Sequence, residues 1–295
     1  MGNKDKRFLT RAQITVNHYI DCDMPDNGVS LWWLGQAGFL IKYAGITLVI
    51  DAYLSDYLAV KYAGKRFPHK RMMPQPIDPG NLYDIDYMLC THSHSDHMDP
   101  GLLEIVAENN PDCRFIMPEA VRSIGLERGA PEDRILGIDA GMRLQLSQEI
   151  LLEAIPSAHE EIQQDANGHH HFLGFLLTFG DMVIFHPGDS IPYDELDINL
   201  KPYSIDLALM PINGRSEELN SHGIAGNFNF SEALQIMLSH EIGFMIPHHF
   251  EMFDFNTVDR GELNGFVENA GMRERIFPAQ VGVCYYIDKH KESGC

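Results

Sequence analysis

Along the chain, apolar residues fall into short runs punctuated by turn signals more often than into long helical stripes. Residues 29–34, 39–43 and 46–50 are rich in aliphatic and aromatic side chains and are divided by residues 35–38 and by Ala44-Gly45. They read as consecutive antiparallel strands. Further strand-like runs occupy 87–90, 115–117, 150–155, 173–178, 182–185, 205–210, 244–246 and 281–287. Helical patterns lie between several of them. The clearest opens with Asp99 as cap and Pro100 at the first helical position, carries Leu102, Leu103 and Val106 as an apolar stripe, and stops at Asn109-Asn110-Pro111. A second runs from Ser231 through Leu234, Met237 and Leu238 to His240. Grouped strands with interposed helices predict a layered α/β protein. No repeat, low-complexity tract or linker divides the chain, which predicts an N-terminal segment over 1–28 and a single domain over 29–295.

Composition narrows the function. The 295 residues include 22 Lys plus Arg against 42 Asp plus Glu, a formal charge of −20. That total disfavours a nucleic-acid backbone binder, which needs a basic face. A hydrophobic fraction of 44% argues against disorder. The longest apolar stretch, 39–50, is broken by Lys42 and Gly45 and is too short to span a bilayer. Residues 1–15 lack the apolar segment of a secretory signal, so no membrane contact and a cytoplasmic location are expected. Five cysteines, Cys22, Cys90, Cys113, Cys284 and Cys295, are odd in number and form no Cys-x-x-Cys, which fits free thiols.

Histidine is where the chemistry lies. His92, His94, Asp96 and His97 crowd the stretch between the apolar run 87–90 and the helix expected after Asp99. His92 and His94 are two apart, so in extended chain they point to one side, while Asp96 and His97 sit where the chain turns. Imidazole nitrogen and carboxylate oxygen suit Zn²⁺ and also accommodate Mn²⁺ or Fe²⁺. Further candidate donors follow other strand-like runs: His159 after 150–155, Asp189 after 182–185, and His248-His249 after 244–246. Donors gathered from several strand ends build a cluster at one sheet edge, where open α/β architectures place their sites. Paired divalent ions would lower the pKa of a shared water and polarise an ester or phosphoryl oxygen.

These residues resemble the metallo-β-lactamase superfamily. Within it, Trp32-Trp33-Leu34-Gly35-Gln36-Ala37-Gly38, His186-Pro187-Gly188-Asp189-Ser190, Ile205-Asp206-Leu207-Ala208-Leu209 and Ile246-Pro247-His248-His249 are similar to the L-ascorbate-6-phosphate lactonase branch. The resemblance implies an αββα four-layer sandwich and two divalent metal ions, zinc or manganese. It implies His92, His94 and His159 around the first ion, Asp96, His97 and His249 around the second, and Asp189 between them. His248 is the other candidate for the last ligand. The resemblance further implies a hydrolase in which Asp96 orients an activated water toward a small anionic ester or lactone. Asp51, at the end of the third strand, is a candidate to orient a ligating His. Two departures stand out: lactonases carry an acidic residue in the place of His159, and Asn213-Gly214-Arg215 lacks their Asn-Pro-Arg-Gly run.

Three other readings compete. A phosphodiesterase or nuclease uses the same chemistry at phosphorus. Flavodiiron oxidoreductases share the fold but place Glu where His94 stands. A non-catalytic metal scaffold needs no substrate. For substrate contact the candidates are Arg215, His222, His171 and the acid-free basic stretch holding Lys61, Lys65, Arg66, Lys70 and Arg71. Related enzymes self-associate, so a homo-oligomer belongs among the expectations.

Overall fold

The computed structural model describes residues 7–22 and 28–288. Among them are fourteen strands: β1 (Phe8–Ala12), β2 (Val29–Gly35), β3 (Gly38–Tyr43), β4 (Ile46–Ile50), β5 (Tyr87–Leu89), β6 (Arg114–Pro118), β7 (Ile135–Ile138), β8 (Arg143–Gln145), β9 (Ile150–Pro156), β10 (Leu173–Phe179), β11 (Met182–His186), β12 (Leu207–Pro211), β13 (Phe244–His248) and β14 (Cys284–Asp288). The helices are α1 (Tyr57–Lys61), α2 (Leu103–Asn109), α3 (Arg122–Glu127), α4 (Leu196–Leu200), α5 (Glu217–Ser221), α6 (Phe230–Ser239) and α7 (Arg260–Asn269). One sheet has the order β1-β14-β2-β3-β4-β5-β6-β7 and the other β13-β12-β11-β10-β9-β8.

The alternation within β2 explains why two sheets stack. Leu31 and Trp33 belong to the apolar cluster shared with Phe175, Leu177, Ile184 and Leu209 of the second sheet. Trp32 and Leu34, on the opposite face of the pleat, pack with Leu102, Leu103 and Val106 of the α2 region. Ala233, Met237, Leu263 and Val267 of α6 and α7 cover the far side of the second sheet. The result is the expected αββα four-layer sandwich.

The strands 29–50 are antiparallel, as their turns predict. From β4 the register turns parallel through β5, β6 and β7, and β11, β12 and β13 are parallel in the second sheet. Parallel strands bring their C-terminal ends to one edge, and that edge carries the site.

One local expectation needs correction. The helix after residue 99 begins at Leu103, not Pro100. The Asp99 carboxylate instead accepts from the backbone N–H groups of Leu54, Ser55 and Gly101 and from Ser55 Oγ, tying the loop after β4 to the start of the helical segment. The segment before Val29 also contributes structure: β1 pairs with β14, and Val16 and Tyr19 are buried. Cys90, Cys113 and Cys284 form no disulfide among the described residues, and Cys295 lies outside them. Among the described residues no helix is long and apolar enough to cross a membrane.

Candidate functional site

The site begins at the end of β4. Parallel pairing sets Ile50 beside Leu89, so Asp51 and Thr91 emerge side by side. The Asp51 carboxylate accepts from Thr91 N at 2.8 Å and Thr91 Oγ1 at 2.6 Å. It also receives the ring N–H of His97 Nδ1 at 2.9 Å. Because the Thr91 hydroxyl proton goes to Asp51, its oxygen accepts from His92 Nδ1 at 3.1 Å. One buried carboxylate therefore sets the tautomer of two histidines, leaving the Nε2 lone pair of each free. Both Nε2 atoms are buried without a hydrogen-bond partner.

The second sheet supplies the opposite wall. Ser157 Oγ donates to the carbonyls of Pro187 and Asp189, joining the ends of β9 and β11 and bringing His159 against Asp189. At Gly188 φ is +64° and a Cβ would stand 2.8 Å from Thr91 Cβ and Oγ1, so only glycine lets this turn close on the Asp51–Thr91 pair. Asp189 Oδ1 lies 3.2 Å from both His97 Nε2 and His249 Nε2, and Oδ2 lies 3.8 Å from His159 Nε2. Despite these distances, Asp189 Oδ1, His97 Nε2 and His249 Nε2 are not in hydrogen-bond geometry with any group. Donor atoms that crowd together without bonding one another are arranged around a shared point, as metal ligands are.

Three groups of donors lie within 4.8 Å of one another: His92, His94 and His159; His92, His97 and Asp189; and Asp96, His97 and His249. All seven residues expected from the sequence come together. His249 rather than His248 faces the cluster, since the ring of His248 packs on Phe39 and His186 inside the sandwich. His186 donates from Nε2 to the carbonyl of Ala37 and accepts at Nδ1 from Gly188 N.

Burial pushes His92 well below its ordinary pKa, with His97 and His94 adding to the effect, and brings His159 down to about 4. Both are neutral at physiological pH, the form that ligates. Burial would lower His97 as well, but Asp189, Asp51 and Asp96 outweigh it and hold its pKa well above the usual value. The three carboxylates thus demand a cation. A proton on His97 meets that demand, and so does a divalent ion bound by the His97 lone pair. The donor set fits such an ion.

The low pKa of His159 has a consequence for stability. The unfolded chain takes up this proton near the ordinary value of 6.5, the folded one only near 4. Stability is therefore intact above about pH 6.5 and declines as pH falls, by about 3 kcal/mol at pH 4 from this residue. Thermal unfolding of chelator-treated protein from neutral pH downward is expected to show the decline. A flat midpoint contradicts it.

Two contacts that sequence reasoning left without a role complete the floor. Gln36, buried in the β2–β3 turn at φ +50°, donates through Nε2 to Asp96 Oδ2 at 2.8 Å. Its backbone carbonyl accepts from His249 N. Phe172 packs against the rings of His92, His94 and His159 at 5.1, 5.7 and 5.3 Å. Gln36, Asp51 and His249 all hold left-handed backbone, a strain of about 1 kcal/mol or more each for residues with a Cβ. Strain collects where it positions donors.

The donors open onto a cavity of about 260 Å³ whose walls include Leu58, Lys61, Ser93, Arg128, Ile224 and Phe253. Of the substrate-contact candidates, three stand elsewhere. Arg215 is clamped by Glu232 at 2.7 and 2.8 Å, because Glu232 closes the capping box of α6 with Asn229. His222 ends α5 outside the cavity, facing Arg66 and the edge of Phe67. His171 lies in the loop before β10, its N–H on the carbonyl of Gln163, and Phe172 takes the place beside the donors. In the basic stretch, Arg71 reaches the carbonyls of Tyr53 and Ser55, Arg66 pairs with Glu218, and Lys61 reaches the cavity. Arg215→Ala is accordingly expected to lower stability by about 1 kcal/mol through the weakened α6 cap and to leave KM unaltered. Urea denaturation and steady-state kinetics check both halves.

The chain matches the family described as the β-lactamase superfamily domain over residues 47–250. It is 24% identical over 254 residues to a metal-dependent hydrolase of Caldivirga maquilingensis, covering 85% of this chain and 95% of that one. It is also 24% identical over 247 residues to the N-acyl-phosphatidylethanolamine-hydrolyzing phospholipase D 1 of Caenorhabditis elegans, covering 79% and 66%. Among solved structures, the isothiocyanate hydrolase from Delia radicum gut bacteria superimposes with a TM-score of 0.68 at 17% identity, covering 86% of this chain and 98% of that one. Fold, family match and clustered donors agree: the chain belongs to the metallo-β-lactamase superfamily.

Proposed function

We propose that the protein is a metal-dependent hydrolase of small anionic esters or lactones. One observation carries the reading: buried, unbonded ring nitrogens and a carboxylate oxygen converge on the cavity floor from four separate stretches of chain. In it, His92, His94 and His159 would hold one divalent ion, zinc or manganese, Asp96, His97 and His249 would hold a second, and Asp189 would be available to both. Such ions supply Lewis acidity, lowering the pKa of water and polarising the oxygen under attack.

The chain's own groups do the rest. Asp51 keeps His92 and His97 in the ligating tautomer through Thr91 and directly. The Gln36 amide donates to Asp96 Oδ2, which stands 3.9 Å from His97 Nε2, and so holds the Asp96 carboxylate toward the cluster, where it would ligate and orient a water. Phe172, Leu58 and Phe253 limit water around the donors. A cavity of about 260 Å³ suits a small substrate and excludes most of a two-chain lipid.

A phosphodiesterase is the second reading, favoured by the relative named as a phospholipase D. Zinc- and manganese-loaded protein assayed against a lactone series and bis-4-nitrophenyl phosphate separates the two. Lactone turnover alone supports the first reading and phosphodiester turnover alone the second. Turnover of neither, with metal bound, leaves only a non-catalytic scaffold.

A further inference from the structure

Lys61 and Arg128 line the cavity, and among the described residues neither joins an ion pair. They differ in how well they are held. Lys61 is exposed, its ammonium resting 5.5 Å from the ring of Tyr62. Arg128, just beyond α3, is partly buried and anchored: Nη1 donates to the carbonyl of Ser93 at 2.6 Å and of Met98 at 2.7 Å. Those carbonyls flank the turn that carries His94, Asp96 and His97. Two carbonyl contacts on one nitrogen fix the guanidinium plane, while Nη2 and Nε make no hydrogen bond among the described residues. By contrast, Arg66, Arg71 and Arg215 near the site are all engaged by carboxylates or carbonyls.

Resting on the hydrolase reading above, we propose that Arg128 is the specificity residue, its free Nε–Nη2 edge receiving a carboxylate or phosphate group of the substrate. A guanidinium offers two parallel N–H bonds to a planar anion, and its pre-ordered plane spares the ordering cost that the exposed Lys61 would bear. The substrate class follows: a small acid or phosphate monoester whose anionic group is separate from the ester or lactone bond being cleaved. Such a molecule places its anion on the wall at Arg128 and its reacting bond over the donors. Lys61 adds a long-range field toward the same opening.

The test compares ribonolactone with ribonolactone phosphate, which differ only in the phosphate, using zinc-loaded wild type, Arg128→Met and Arg128→Lys. Zinc content is measured for each, because a bracing role alone would loosen the 93–98 turn. In Arg128→Met, kcat/KM for the phosphorylated over the plain lactone is expected to drop by about 30-fold or more, carried by KM, with zinc retained. Arg128→Lys is expected to recover part of that ratio. Parallel loss on both lactones, or lost zinc, would overturn the proposal and leave Arg128 as a brace. Should wild type hydrolyse neither lactone, the substrate reading fails, and calorimetric binding of ribonolactone phosphate decides the role of Arg128 separately. Weaker binding by Arg128→Met sustains it; equal binding, or none by any form, refutes it.

Discussion

Asp189→Ala is expected to abolish metal retention and hydrolysis together, with activity reduced roughly 10³-fold or more. Asp189 stands closest to the geometric centre of the donors, within 3.2 Å of His97 and His249 and 3.8 Å of His159. Removing it leaves the donors of His92, His94 and His159 with no carboxylate beside them, and Asp96 as the one acid left in the donor set to offset a divalent charge. The same carboxylate helps to raise the pKa of His97, so the variant is also expected to titrate His97 nearer its ordinary value. The informative measurement is the zinc-induced rise in thermal midpoint, which follows ligand binding to the native state and reaches about 2.7 kcal/mol at a hundredfold excess over Kd. Wild type should show the rise and Asp189→Ala none. A variant that still gains stability from zinc would show that the ion binds elsewhere.

Asp51→Asn should weaken metal binding or activity by roughly 10- to 100-fold while preserving the fold. Asn tolerates the left-handed backbone that Asp51 adopts at φ +47°, so the substitution tests hydrogen bonding without adding strain. Asp51 accepts three donors, from Thr91 N, Thr91 Oγ1 and His97 Nδ1. In place of Oδ1 the amide NH₂ meets the Thr91 N–H, and in place of Oδ2 it meets both the Thr91 hydroxyl and the His97 ring, which frees the relay to His92 and lets His97 change tautomer. Zinc affinity measured by chelator competition reads the effect. Wild-type affinity in a folded variant would mean that the histidines are oriented by packing alone.

The parts of the site legible in the sequence are those in which side-chain type and strand-end position coincide. His92 to His97 crowd one loop, and Asp189 and His249 each follow an apolar run, so periodicity alone brings them toward one edge. Gln36 and Arg128 were not legible in this way. Gln36 acts through a left-handed turn that brings its amide to a residue sixty positions away, and Arg128 through carbonyls whose direction no residue pattern reveals. Arg215 misled because a cation just past a strand looks free until Glu232, seventeen residues on, folds back as a helix cap. Asp99 misled for a similar reason: its capping chemistry is real, but it serves the backbone of Leu54 and Ser55. β1 escaped notice because an edge strand buries only part of its face.

The pairing of β1 with β14 joins Phe8 to Asp288. Synthesis therefore makes β2 through β13 before this edge can close, since they lie between its two halves in the chain. Until β14 arrives, β2 presents an unzipped flank of backbone amides and carbonyls, a border of the larger sheet open to foreign strands.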